Sequence, residues 1–279
     1  MENIFLGIDG CKAGWATVEI TSYSKSEIWG FYIFPKINSL FEKYYKHNPI
    51  PNIPPKQTVN LPPKLIPRQV LIDIPIGLKE SGPEERKCDK EARKYLGPKR
   101  GSSVFRVPAR KTVYCNGDYR QASYINYKLT GKKISKQTWH ISKKIREVDT
   151  FIDSMKYDSD LISVIHESHP EICFESLAGK KLTYSKKTKE GFNERMEIIR
   201  LFNNDIDNFV SAVYKKFNKT QVKPDDLLDA AILAITAKTI HLTGKISRIP
   251  EEPEIDNKGL RMEILFSRIN LNALSQKVF

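Results

Sequence analysis

Six acidic residues stand where a chain can use them for chemistry. Asp9 closes GIDG after the apolar alternation of Ile4, Leu6 and Ile8, and Asp73 lies deep in the apolar run QVLIDIPIG. Asp226 and Asp229 are spaced i, i+3 in DDLLDAAILA, on one helix face, and Glu167 and Glu171 stand in HESHPEICF. Clustered carboxylates repel one another and are costly to desolvate, so such a cluster persists when cations occupy it. An all-oxygen donor set with no Cys and few His suits Mg2+ or Mn2+. Two such ions about 3.5–4 Å apart clamp the attacking and leaving oxygens of a phosphodiester displacement. Each acid also has an ordinary explanation: a turn start for Asp9, a satisfied buried acid for Asp73, a dipole-complementing first turn for Asp226. Asp225, after Pro224, reads as a helix cap. A single site accounts for all the others together.

For these acids to meet, the elements carrying them must converge. Residues 3–9, 15–20 and 27–34 read as strands joined by short turns, an antiparallel meander. Residues 39–47 read as a short helix capped by Ser39. The run 69–77 reads as a strand buried on both faces, as in a parallel sheet. If it neighbours the first strand in parallel, Asp9 and Asp73 sit side by side at the carboxyl rim, where sites gather in such sheets. Within 160–174, LISVIH reads as another buried strand. Helices are expected around 190–203 and 205–217, then an amphipathic one over 225–242, with an edge strand at 259–266. Residues 48–68 hold seven of the 16 prolines and read as an extended loop. Residues 84–157 are helical and basic, a subdomain or cap.

A second constellation is basic. In GPKRGSSVFRVPAR, Lys99, Arg100, Arg106 and Arg110 crowd a loop with Ser102 and Ser103, residue types that grip phosphate oxygens. SKKTKEG offers Lys187 for the same purpose. His166 and His169 flank Glu167 as candidate proton carriers or outer ligands. No Gly-x-Ser-x-Gly elbow supports a serine nucleophile.

The excess of 46 Lys+Arg over 33 Asp+Glu, a net charge of +13, favours a polyanionic partner such as nucleic acid, bound the more weakly as salt rises. A chain of 279 residues can bury roughly 70% or more of its unfolded surface without staples. The four cysteines are scattered without a Cys-x-x-Cys pair, which points to a reducing compartment. The N-terminus lacks the pattern of a signal peptide and no apolar run is long enough to span a bilayer, so a cytoplasmic protein with no membrane partner is expected.

In this order, GIDGCKAGW, IDIPIGL, RKCDKEARKYLGPKRGSSVFRVPAR, HESHPEICFESL, SKKTKEG and DDLLDAAILA resemble the family catalogued as domain of unknown function 429, regarded as a predicted nuclease of the RNase H-like superfamily. The resemblance runs from residue 4 to about 266. It implies an α/β fold, a mixed sheet of antiparallel meander plus parallel strands flanked by helices, forming one domain over 1–279 with a basic helical insertion at 84–157. The D-x-x-D-A of DDLLDA is similar to the closing helix of Holliday-junction resolvases and maps onto Asp226, Asp229 and Ala230. By that carry-over Asp9, Asp73, Asp226 and Asp229 ligate Mg2+ or Mn2+; Glu167 and Glu171 match family motif positions without an assigned role, and one of them is expected to join the metal shell, with Glu171 the catalytic candidate. The expected activity is metal-dependent hydrolysis of nucleic-acid phosphodiesters. Two alternatives remain. A phosphotransferase or ATPase of the actin-like branch is matched only loosely by GIDGCKAG, and a non-catalytic nucleic-acid binder gives no reason to collect acids.

Overall fold

The computed structural model of the protein describes residues 2–45, 66–218 and 220–268. The proline-rich segment, up to residue 65, lies outside them. Strands β1 (Asn3–Cys11), β2 (Gly14–Ser22) and β3 (Glu27–Phe34) form the meander, followed by α1 (Ile37–Tyr45). Strand β4 (Gln69–Ile72) pairs with β1 in parallel, and β5 (Ile165–Glu167) pairs with β4 in parallel. The sheet order is β3-β2-β1-β4-β5, a mixed sheet consistent with the RNase H-like arrangement.

Between β4 and β5 the chain forms α2 (Lys87–Leu96), a 3-10 turn (Gly101–Ser103), α3 (Arg110–Val113), α4 (Tyr119–Thr130), α5 (Lys136–Ser154) and α6 (Ser159–Val164). After β5 come α7 (Pro170–Ala178), α8 (Lys189–Arg200), α9 (Ile206–Lys216) and α10 (Pro224–Thr243). Strands β6 (Ser247–Ile255) and β7 (Arg261–Phe266) then pair as a separate two-stranded sheet.

Alternation along the strands sorts the core into two layers. Ile4, Leu6 and Ile8 point with Val70 and Ile72 toward α1 and α5, burying Ile145, Val148 and Phe151. The helical segment 84–157 therefore forms a wall of the domain, because α5 covers a sheet face that would otherwise be wet. Phe5, Leu71, Ala16 and Val18 face the opposite layer, built on α10 with α7 and α8 outside it. Gly7, Asp9 and Asp73 share that parity, so both aspartates are aimed at the layer that carries α10.

Gly7 sets how closely α10 approaches. A Cβ there would lie 2.0 Å from the Ala230 carbonyl oxygen and 2.2 Å from the Ala234 nitrogen, both backbone atoms of α10. Gly7→Ala is expected to push the helix off the sheet at a cost of about 1–3 kcal/mol, seen as a lowered midpoint in urea unfolding. An unchanged midpoint would contradict the close packing.

Several expectations from sequence need correction. Segment LISVIH is mostly helix α6, and only Ile165 and His166 of it join β5, whose third residue is Glu167. Strand β4 stops at Ile72, since Pro75 has no N–H and the Ile76 amide donates to Glu167 instead of a ladder. Ser39 does not cap α1, which begins at Ile37, whose N–H is satisfied by the Glu147 carboxylate at 2.6 Å. Asp225 does not cap α10; Lys223 holds that position with Pro224 first in the helix. Helix α10 is buried on nearly all sides rather than amphipathic, because α7 and α8 cover the face turned from the sheet.

Candidate active site

Asp9 sits near the end of β1, 8% exposed, with one oxygen accepting the Gly10 N–H at 2.7 Å. Asp73 follows β4 directly, and its N–H donates to the Ile8 carbonyl at 2.9 Å, carrying the β1 pairing one step further. The first turn of α10 comes over this rim. Asp226 accepts the Lys223 N–H at 2.9 Å, and Asp229, one turn deeper, is 1% exposed. The four aspartates named from sequence are thus brought to one place.

Three of them border a cleft of about 680 Å³ lined by Asp9, Asp73, Asp226 and Glu171 and also by Lys99, Arg100, Ser102 and Ser103. Lys186, Lys187 and His169 line it too, and Asp229 is joined to it through Lys186. The Lys186 ammonium bonds Asp229 Oδ2 at 2.5 Å, while the other oxygen of Asp229, Oδ1, is buried without a partner. Glu171 is held at Oε1 by the buried Arg195 guanidinium at 2.6 Å; its Oε2 is buried, lacks a hydrogen bond and lies 3.9 Å from Arg100 Nε. His169 Nδ1 is likewise buried and unpartnered, with Nε2 3.4 Å from the Ser103 hydroxyl.

The electrostatics are those of crowded acids. Burial raises Asp9 well above the usual carboxylate range, and the charges of Asp73 and Asp229 raise it further. Burial pushes Asp229 up to about 7, against the pull of Lys186 and with the push of Asp73 and Glu171. Asp73 is raised by burial against the opposing effects of His169 and Lys186. Asp226 is also raised by burial.

Other sequence-named residues lie elsewhere or are already engaged. Arg110 does not line the cleft; its guanidinium is bound by Glu80, Asp149 and Asp256. Arg106 donates to the Pro83 carbonyl and is also absent from the lining. Glu167 borders the cleft but is bound by both terminal nitrogens of Arg86, at 2.7 and 2.8 Å, and by the Ile76 N–H. His166 faces Glu263 and Arg248, away from the cleft, and burial lowers it to about 4.

Among the described residues, Cys88, Asp89 and Glu167 are the one group of three whose donor atoms lie within 4.8 Å of one another. The Arg86 guanidinium already occupies that group, contacting both carboxylates, so its charge is met by protein. The aspartates of the cleft are spread more widely around Lys186, and to share an ion their side chains must rotate inward. The lysine that meets the acids is Lys186, which the sequence does not distinguish from its exposed neighbour Lys187.

A family model described as "Protein of unknown function (DUF429)" matches residues 7–255. The chain belongs to this family. No curated protein and no solved structure matches it. The DUF429 match spans Asp9, Asp73, Glu171, Lys186 and both α10 aspartates. Among the described residues, no helix is long and apolar enough to cross a membrane.

Proposed function

We propose that the protein is a cytoplasmic, divalent-metal-dependent hydrolase of phosphodiester bonds in nucleic acid. One observation carries this reading: Asp9 from β1, Asp73 after β4 and Asp226 from α10 border one cleft together with basic and hydroxyl side chains, and Asp229, bonded to the cleft's Lys186, keeps a buried oxygen without a partner. The donor set fits Mg2+ or Mn2+, since it is all carboxylate oxygen and two of its atoms, Asp229 Oδ1 and Glu171 Oε2, are buried and unsatisfied. Asp9, Asp73, Asp226 and Asp229 would hold the metal, with Glu171 beside them. A divalent ion bound there supplies an activated water and stabilises charge on the leaving oxygen. Lys99, Arg100, Ser102, Ser103 and Lys187 would hold the phosphate backbone along the cleft. Four free cysteines are in keeping with a reducing compartment.

The test is cleavage of a labelled panel of DNA and RNA, single-stranded, duplex and branched, in Mg2+, Mn2+ and EDTA and over a series of salt concentrations. Cutting that needs the metal is expected, with binding that falls steeply with salt. Intact substrates throughout, with metal bound, would sink the reading.

The raised aspartates also make a prediction about pH. Without metal, Asp229 binds its proton more tightly folded than unfolded, where its pKa is about 4. Its contribution to stability is therefore full below about pH 4 and is lost as pH rises through about 7. A metal that replaces the proton should raise the melting temperature more at pH 8 than at pH 5.5. At a hundredfold excess over Kd the stabilisation is about 2.7 kcal/mol, roughly 5–10 °C for a domain of this size. Thermal unfolding with and without Mn2+ at the two pH values checks this; equal shifts would contradict it.

A further inference from the structure

We propose that Lys186 is a resident cation of the carboxylate site and stands in place of a second metal ion, so that the site accepts one divalent ion rather than two. The inference rests on the metal-dependent function proposed above and narrows it. Its starting point is Asp229, a residue 1% exposed whose two oxygens have different fates. Oδ2 is committed to the Lys186 ammonium at 2.5 Å, and Oδ1 is buried with no partner at all. A carboxylate that serves two ions through its two oxygens needs both of them free. Here one is bonded to an ammonium and one remains, which is the provision for a single ion.

The ammonium bonds Asp229, and its charge reaches the other acids, Asp9, Asp73 and Asp226, as well. A compact ammonium on a flexible stem brings three donors to oxygens that would otherwise repel one another.

The backbone beneath Lys186 is built to hold it there. The Ser185 carbonyl accepts both the Thr188 N–H and the Thr188 hydroxyl at 3.0 Å, and the Gly191 N–H donates to that hydroxyl at 3.1 Å. A Cβ on Gly191 would lie 1.8 Å from the Ser185 oxygen, so glycine is what lets this turn seat on α8. The preceding residue, Tyr184, offers its carbonyl to Arg100, which ties the lysine turn to the basic residues of the cleft lining. A solvated surface lysine has no need of such a mount.

The experiment counts ions, not turnover. Mn2+ is titrated into the full chain at pH 7.5, and free Mn2+ is read by electron paramagnetic resonance. The wild type is expected to bind one Mn2+ per chain. Lys186→Met, similar in length and without charge, is expected to bind two, the second at least tenfold more tightly than any second ion in the wild type; Lys186→Arg is expected to bind one. Circular dichroism shows whether each variant folds, and if Lys186→Met does not, the wild-type count decides alone. Two ions of comparable affinity in the wild type overturn this inference and leave the metal-dependent reading standing. One ion in Lys186→Met with unchanged affinity, or none, also overturns it, because the lysine then excludes nothing or builds the site instead of filling it. No ion bound to the wild type overturns the metal reading itself, and this inference with it.

Discussion

Asp73→Asn is expected to lower metal-dependent cleavage by on the order of 10³-fold, with the melting temperature of the metal-free protein unchanged or higher. On the proposed metal-dependent function the loss follows from removing a metal-ligating charge, since the ion's stabilisation of the transition state is worth several kcal/mol and each 1.36 kcal/mol is tenfold in rate. The retained fold follows from what Asp73 does for the backbone: its N–H donates to the Ile8 carbonyl, and asparagine keeps that donor. The charge itself is a burden in the absence of metal. Asp73 helps to raise Asp9 and Asp229, so deleting it relieves both. Single-turnover cleavage beside a thermal melt of the same preparations separates the two effects. Lost activity with a melting temperature lowered by many degrees would assign Asp73 a structural role; activity kept within threefold would remove it from the site.

Arg86→Ala carries the largest expected cost in stability. Arg86 is 2% exposed and gives every guanidinium nitrogen to a partner: Nε and Nη2 to Asp89, Nη1 and Nη2 to Glu167, and Nη1 to the carbonyls of Ile76 and Gly77. The alanine variant leaves two carboxylates buried without their counter-charge. Breaking a buried pair in this way costs about 3–5 kcal/mol, roughly 6–20 °C in melting temperature for a domain of this size. The loss should be smaller at pH 5 than at pH 8. Burial already raises Glu167 to about 7, and without Arg86 it binds its proton more tightly still, so acid neutralises what the arginine no longer does. Urea unfolding at the two pH values reads both the size and the pH dependence. A cost below 1 kcal/mol at pH 8 would show that Arg86 is not the counter-charge the contacts imply.

The parts of the fold that follow from alternation were legible in the sequence. Ile4, Leu6 and Ile8 gave β1 its face toward α1 and α5, and the opposite parity aims Asp9 at the layer of α10. The run at 69–77 predicted a parallel partner for β1, but its apolar character outlasts its strand, because Pro75 and the Ile76–Glu167 contact end the ladder without any change in hydropathy. Helix α6 and strand β5 share one apolar stretch, which periodicity could not divide. The fate of Arg110 was illegible for another reason: Asp149 and Asp256, which bind it, are far along the chain and carry no local sign of the pairing. Arg86, Arg195 and Lys186 were missed likewise, since a basic residue beside others in sequence gives no indication of which one turns inward.

The aspartates that border the cleft come from the two ends of the chain. Asp9 lies in the first strand, and Asp226 and Asp229 belong to a helix that begins only at Pro224. During synthesis the protein therefore passes most of its time on the ribosome with half of the site made and the other half not yet translated. A chain cut short before α10, by a nonsense codon or a protease, keeps Asp9 and Asp73 but lacks the acids that complete the set. Whatever reaction the cleft performs is withheld from chains that stop short of α10.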